Sequence, residues 1–264
     1  MKAKVNGVTL AYDDHGKGLP VVLLHGFPLN RKIWEPQVQA LAPYCRVITP
    51  DLRGHGESEA PAGIYTMATM AADVAALLQF LQCGPAVIAG HSMGGYILLT
   101  LYRHHPQVVK GLVLVSTRAV ADAPQGRVNR QAMARRAEEE QSSRVAVETM
   151  LPNMMAPASL AIRPNLRHEL EAMMAATSVN GIIGAQRGMA ERPDSSDLLP
   201  RISVPTLIIA GTADALIPFA ESQRMAQMIP GAELHLLADA GHLPSLEKPE
   251  EFTAVLQAWL QKIQ

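Results

Sequence analysis

The stretch Gly90-His91-Ser92-Met93-Gly94-Gly95 sets a serine among glycines, directly after the apolar run Ala86-Val87-Ile88-Ala89 and directly before a helical pattern. G-x-S-x-G between a strand and a helix is the setting in which a sharp turn lifts a serine Oγ above a sheet edge. The glycines answer a steric need, because the chain must pack closely around a strained backbone. The helix that follows aims its first N–H groups at the same place. Ser92 is therefore the expected nucleophile. A serine hydroxyl attacks poorly at neutral pH unless an adjacent base takes its proton. Of the nine histidines, His242 in Ala240-Gly241-His242-Leu243-Pro244 lies in a Gly- and Pro-flanked loop before the last helix, within reach of such an edge. His25 is the other histidine in a comparable setting.

An acid that fixes the imidazole tautomer should come from another strand end. Asp214, in Gly211-Thr212-Ala213-Asp214 after Ile208-Ile209-Ala210, is the expected partner. Asp239, three residues before His242, competes for that role and reads as a solvated turn residue. Acyl transfer also needs donors for a developing oxyanion. The backbone N–H of Met93 is one candidate, and that of Phe27, in Leu24-His25-Gly26-Phe27-Pro28, is the other.

These residues must be held by a sheet. Val21–Leu24, Arg46–Thr49, Ala86–Ala89 and Gly111–Val115 are short apolar runs bounded by Gly and Pro. Such runs suit parallel strands covered on both faces. After Thr66, apolar residues at 67, 70, 71, 74, 77, 78 and 81 form one helical stripe. Strands alternating with helices imply βαβ crossovers and a mostly parallel sheet. From Arg118 to Asp197 the pattern is helical and rich in methionine, with no convincing strand. Alternation returns with Thr206–Ala210 and Glu233–Leu237, and the final helix carries Phe252, Val255, Leu256, Trp259 and Leu260 on one face. The reading is an α/β domain interrupted by a helical insertion and then completed.

Composition narrows the partners. The chain of 264 residues is 48% hydrophobic but only 4% aromatic, so aliphatic side chains and methionine must fill the core. A net charge of −1 and the absence of a basic run speak against nucleic acid. No stretch approaches the ~18 apolar residues of a membrane span, and no signal-like segment opens the chain. Cys45 and Cys83 are too few for a disulfide framework and are expected to be small buried hydrophobes in a soluble, cytoplasmic protein. No ligand-spaced His/Cys/Asp cluster and no phosphate loop is present, so neither metal nor cofactor is expected. Oligomeric state is not encoded in any pattern.

Taken together, His25-Gly26-Phe27-Pro28, Asp51-Leu52-Arg53-Gly54-His55-Gly56-Glu57-Ser58, the Ser92 turn, Asp214 and Ala240-Gly241-His242 resemble the α/β-hydrolase fold superfamily over essentially the whole chain. The chain order Ser92, Asp214, His242 is that family's order. The resemblance implies a mostly parallel central sheet flanked by helices, with a core domain of residues 1–117 and 198–264 and a helical cap, 118–197, over the active site. It implies that the 51–58 loop is mainly structural, so Arg53, His55 and Ser58 receive no catalytic role. The subgroups it resembles are small carboxylesterases, non-haem haloperoxidase-like perhydrolases and 3-oxoadipate enol-lactonases. Serine at position 92 argues against haloalkane dehalogenases and epoxide hydrolases, which carry aspartate there.

The reaction so implied is hydrolysis of a small, largely apolar carboxylic ester through an acyl-enzyme. An enol-lactonase would use the same residues on a cyclic acidic substrate and would want a cation in the cap, for which Arg163, Arg167 and Arg187 are candidates. Perhydrolysis would be a side reaction. A non-enzymatic ligand-binding module is the reading from another class, and the complete Ser–Asp–His set counts against it. The Met- and Leu-rich insertion leads to the expectation of neutral esters with short to medium acyl chains.

Overall fold

The apolar runs do become strands buried on both faces, because alternate side chains enter different cores. In a computed structural model that describes residues 1–263, eight strands form one sheet. They are β1 (Lys2–Val5), β2 (Val8–His15), β3 (Pro20–Leu24), β4 (Arg46–Pro50), β5 (Ala86–His91), β6 (Val109–Val115), β7 (Thr206–Gly211) and β8 (Glu233–Leu237). Their order across the sheet is β1-β2-β4-β3-β5-β6-β7-β8. From β4 to β8 every pairing is parallel, and β1 and β2 close one edge in antiparallel register. The β1–β2 turn is Asn6-Gly7 with φ of 46° and 74°, the left-handed pair that a two-residue hairpin demands.

Val22, Leu24, Ile88, Leu112, Leu114 and Ile208 face one core, while Val21, Leu23, Val87, Val113, Val115 and Ile209 face the other. This is the period-two alternation of a strand expressed on a doubly covered sheet. Three helices precede the insertion: α1 (Glu35–Leu41), α2 (Met67–Phe80) and α3 (Met93–His104). The expected stripe of α2 is buried from Met67 to Leu78, and Thr66 caps the helix by accepting from Thr69 N at 3.0 Å. Cys45 is buried as expected, but Cys83 is only half-buried, since it lies past the end of α2 where the chain returns to the surface.

Between β6 and β7 the chain is helical: α4 (Pro124–Glu140), α5 (Arg144–Met150), α6 (Pro157–Ile162), α7 (Leu166–Ala175) and α8 (Val179–Ala190). Met154, Met155, Met174 and Met189 of this segment are buried. Three more helices complete the fold: α9 (Phe219–Met228), α10 (Pro244–Glu247) and α11 (Pro249–Leu260), the last burying Phe252 and Trp259. Among the described residues, no helix is long and apolar enough to cross a membrane.

The sheet order has one consequence for function. β3 lies between β4 and β5, so the chain runs outward in opposite directions from neighbouring strands. A crevice opens at the carboxyl ends of strands where the winding reverses, and ligands of open α/β sheets bind there. Phe27 follows β3 and Ser92 follows β5, which places both at that crevice.

Candidate active site

Ser92 occupies the one-residue junction between β5 and α3, with φ 52° and ψ −112°, a conformation that costs a side-chain-bearing residue free energy. The strain is held by bonds on both sides. Ser92 N donates to Val115 O at 2.9 Å, and Ser92 O accepts from Gly95 N at 2.9 Å and from Thr117 Oγ1 at 2.8 Å. A Cβ at Gly94 would stand 2.6 Å from Leu24 O, so only glycine lets the first turn of α3 press on the end of β3. At Gly26 a Cβ would stand 2.6 Å from His91 Nδ1 and 3.1 Å from Ser92 Cβ. The Phe27 loop thereby lies directly against the serine.

His242 and Asp214 come together from loops 28 residues apart in sequence. His242 Nδ1 lies 2.8 Å from Asp214 Oδ2, and both side chains are buried. The other carboxylate oxygen accepts from Leu216 N at 2.8 Å and Ile217 N at 2.9 Å. Burial pushes the Asp214 carboxyl up, but the His242 ring and those two N–H groups more than offset this and hold it below the usual carboxylate range. Asp214 is thus kept ionised beside the imidazole. Asp239 is exposed, with φ 57°, in the turn that leads to the His242 loop.

Ser92 and His242 line one small cavity of about 120 Å³, with Phe27 beside them. Among the described residues Ser92 Oγ makes no hydrogen bond, so a shared cavity joins it to His242; catalytic bonds of free enzymes are often long and tighten only on substrate. The N–H groups of Phe27 and Met93 likewise have no acceptor among the described residues. Leu216 and Ile217 form one wall, and Met150 and Met189 reach in from α5 and α8. A larger cleft, about 580 Å³ between α1 and α7, holds none of Ser92, Asp214 and His242 and has no group suited to the same chemistry. No three His, Cys, Asp or Glu side chains among the described residues are arranged as metal ligands.

Two residues outside the sequence reading hold the histidine loop. Glu247, buried in α10, accepts from Gly241 N and from Leu243 N, each at 2.9 Å, so one carboxylate grips the chain on both sides of His242. It also accepts from Ala156 N at 2.9 Å and Ser159 Oγ at 2.6 Å, which ties the helical insertion to the same loop. His91 donates from Nε2 to His242 O at 2.7 Å, and burial, reinforced by the His242 ring, pushes its pKa down to about 3, so it stays neutral. Nothing in the sequence around Glu247 separates it from a surface glutamate at a helix end. His91 carried a faint signal, as a polar residue closing an otherwise apolar strand.

The remaining histidines of interest are structural. His25 Nδ1 donates to Gly26 O and its Nε2 accepts from Leu52 N, both at 2.9 Å, so it joins the end of β3 to the 51–58 loop. In that loop Ser58 Oγ donates to Asp51 O at 2.6 Å, Arg53 pairs with Asp73, and His55 donates to Arg53 O at 2.9 Å. The three arginines expected to supply a cation do not reach the cavity. Arg163 Nη1 donates to Leu246 O, Arg167 is exposed and Arg187 pairs with Glu138. Arg118 and Arg130 line it instead, because the segment enters at Arg118 and turns that face of α4 inward.

Comparison with known proteins follows the geometry. A family model described as alpha/beta hydrolase fold matches residues 20–249. The chain belongs to this family. A thermophilic esterase from Thermogutta terrifontis, solved with malate bound, is 40% identical and superposes with a TM-score of 0.96 over 100% of this chain and 99% of that one. The enol-lactonase from Burkholderia xenovorans LB400 is 29% identical, with a TM-score of 0.91 over 99% of this chain and all of that one. The AB hydrolase superfamily protein YisY of Bacillus subtilis is 34% identical over 257 residues, covering 94% of each chain. The protein is a hydrolase of the α/β fold, acting on small molecules as its family does.

Proposed function

We propose that this hydrolase cleaves carboxylic esters of small, largely apolar substrates through an acyl-enzyme, with residues 118–197 as the cap over the site. The observation that carries the reading is the buried His242–Asp214 pair, 2.8 Å apart, opening on the same cavity as Ser92. Because Asp214 accepts from Nδ1–H, the lone pair of the neutral ring is on Nε2, free to act as base. Ser92 Oγ attacks the ester carbonyl as His242 takes its proton, and the oxyanion is met by the Phe27 and Met93 N–H groups. Collapse expels the alcohol, which receives the proton from His242. Water, deprotonated by His242, then attacks the acyl-enzyme, and Ser92 leaves with that proton. Asp214 stabilises the imidazolium in both steps. The apolar wall of Met150, Met189, Leu216 and Ile217 supports a short acyl chain.

The test is turnover of p-nitrophenyl esters from acetate to dodecanoate by the wild type and by Ser92→Ala. A maximum at short to medium chains, abolished in the variant, is the expected result. Activity that survives Ser92→Ala would refute the mechanism. Lactone opening by the same residues is the second reading, favoured by the likeness to the Burkholderia xenovorans enol-lactonase. Adding 3-oxoadipate enol-lactone to the panel separates the two, and malate, a ligand of the Thermogutta terrifontis esterase, belongs in it as a competitor.

A further inference from the structure

Where the helical insertion enters and leaves the sheet domain, three guanidinium groups surround one carboxylate. Asp122, buried, is paired with Arg118, Arg130 and Arg192. Arg118 Nη2 and Arg192 Nη2 donate to Oδ1 at 2.5 and 3.3 Å, and Arg130 Nε donates to Oδ2. Burying one anion among three cations leaves positive charge without a counterion, in a place where desolvation of charge is costly.

Arg192 is accounted for by the fold. Its side chain is 3% exposed, lies over the Tyr96 ring at 3.9 Å and donates to Val120 O at 2.7 Å and Ala119 O at 3.4 Å. It staples the exit of the insertion to the entry. Asp194 acts on it too, though its oxygens are taken by Ala121 N and Ser196 N.

Arg118 and Arg130 are different. Both line the Ser92 cavity and also the groove of about 470 Å³ that adjoins it between α4, α5 and α8. They share the single Asp122 carboxylate. Beyond it, Arg130 Nη1 meets only neutral acceptors, Gln186 Oε1 and Met189 Sδ, both at 3.3 Å. The Arg118 Nε–H is buried with no acceptor at all among the described residues. Arg192 also leaves its buried Nε without an acceptor, but its Nη groups reach the Ala119 and Val120 carbonyls and it lines neither cavity, whereas among the described residues no backbone carbonyl accepts from Arg118 or Arg130. Instead two permanently charged forks border the cavity that holds the serine.

We propose that Arg118 and Arg130 form an anion subsite of the Ser92 cavity, so that the substrate is a small ester carrying a second, free carboxylate. The inference rests on the serine-hydrolase reading and replaces the expected preference for neutral substrates. A planar guanidinium matches a carboxylate in a bidentate fork, and partial burial strengthens the pair. Met150 and Met189 then contact the methylenes between the two carboxyl groups.

The experiment compares chain-matched pairs that differ only in a terminal carboxylate for methyl. Monoethyl glutarate against ethyl pentanoate places the charge on the acyl side, and 4-acetoxybutanoate against butyl acetate places it on the alcohol side. In at least one pair the acid should have a kcat/KM tenfold or more above its neutral partner. Arg118→Gln and Arg130→Gln should each reduce that ratio at least tenfold; because both substrates are read on one protein, a partial loss of folded enzyme cancels. Ratios at or below one in both pairs, or ratios that survive both substitutions, would overturn the subsite while leaving the hydrolase intact. If no ester is turned over, the hydrolase reading fails and binding decides the subsite. Glutarate titrated calorimetrically into Ser92→Ala, with affinity lost on adding Arg130→Gln, would then support it, and no heat of binding would overturn it.

Discussion

Replacing Glu247 with glutamine should damage catalysis from a position that touches no reacting atom. Its carboxylate takes four donors: Ala156 N, Ser159 Oγ and Gly241 N on Oε2, and Leu243 N on Oε1. A glutamine has one acceptor oxygen, which can retain at best the three donors on the Oε2 side. Its NH₂ group then faces the Leu243 N–H, donor against donor. Losing one bond to a charged acceptor costs roughly 1.5–3 kcal/mol, and the other three fall from charge-assisted to neutral strength, about 0.5–1 kcal/mol each. Part of this is returned because a neutral amide is easier to bury than a carboxylate. The expected net loss is about 3 kcal/mol. Urea unfolding, followed by the fluorescence of buried Trp34 and Trp259, would measure it. Because Gly241 and Leu243 flank His242, kcat should fall tenfold or more with little change in KM, as befits a positioning residue. A variant within ~0.5 kcal/mol of wild type, the usual range of surface substitutions, and with unaltered kcat would refute the clamp.

Ser92→Ala should lower kcat by about 10⁴- to 10⁶-fold, by analogy with serine hydrolases, with an unchanged far-UV spectrum. Asp214→Asn should cost up to about 10⁴-fold in kcat, by analogy with the Ser-His-Asp triad of a serine protease, while exposed Asp239→Asn should cost little; equal losses in kinetic assays would reassign the acid. Acid should unfold the protein early. An unfolded imidazole binds its proton below pH ~6.5, whereas burial delays protonation of His55 to about 4 and, with the His242 ring, of His91 to about 3. In between, the unfolded chain holds more protons, so stability is full above pH ~6.5 and falls as pH drops, by about 1.4 kcal/mol per pH unit for each histidine. Urea midpoints measured from pH 7 to 4 should therefore decline steadily, and a flat profile would contradict the burial of these rings.

The strand runs, the helical stripe after Thr66 and the order Ser92, Asp214, His242 are all legible in one dimension. Each depends on local chemistry, namely side-chain period, the glycines of a tight turn, and the residue types acyl transfer needs. The family and its layered architecture follow from those features alone. What tertiary structure decided are the contacts between side chains distant in sequence. Arg163, Arg167 and Arg187 were the expected cations and Arg118 and Arg130 were not, because helical spacing tells which residues share a face but not what that face meets. Glu247 looked like any acid at a helix end until the fold brought four donors to it, two of them from a segment some ninety residues away. The proposed nucleophile and base are read from the chain; the charge beside them and the loop that steadies them exist only once the insertion packs on the sheet.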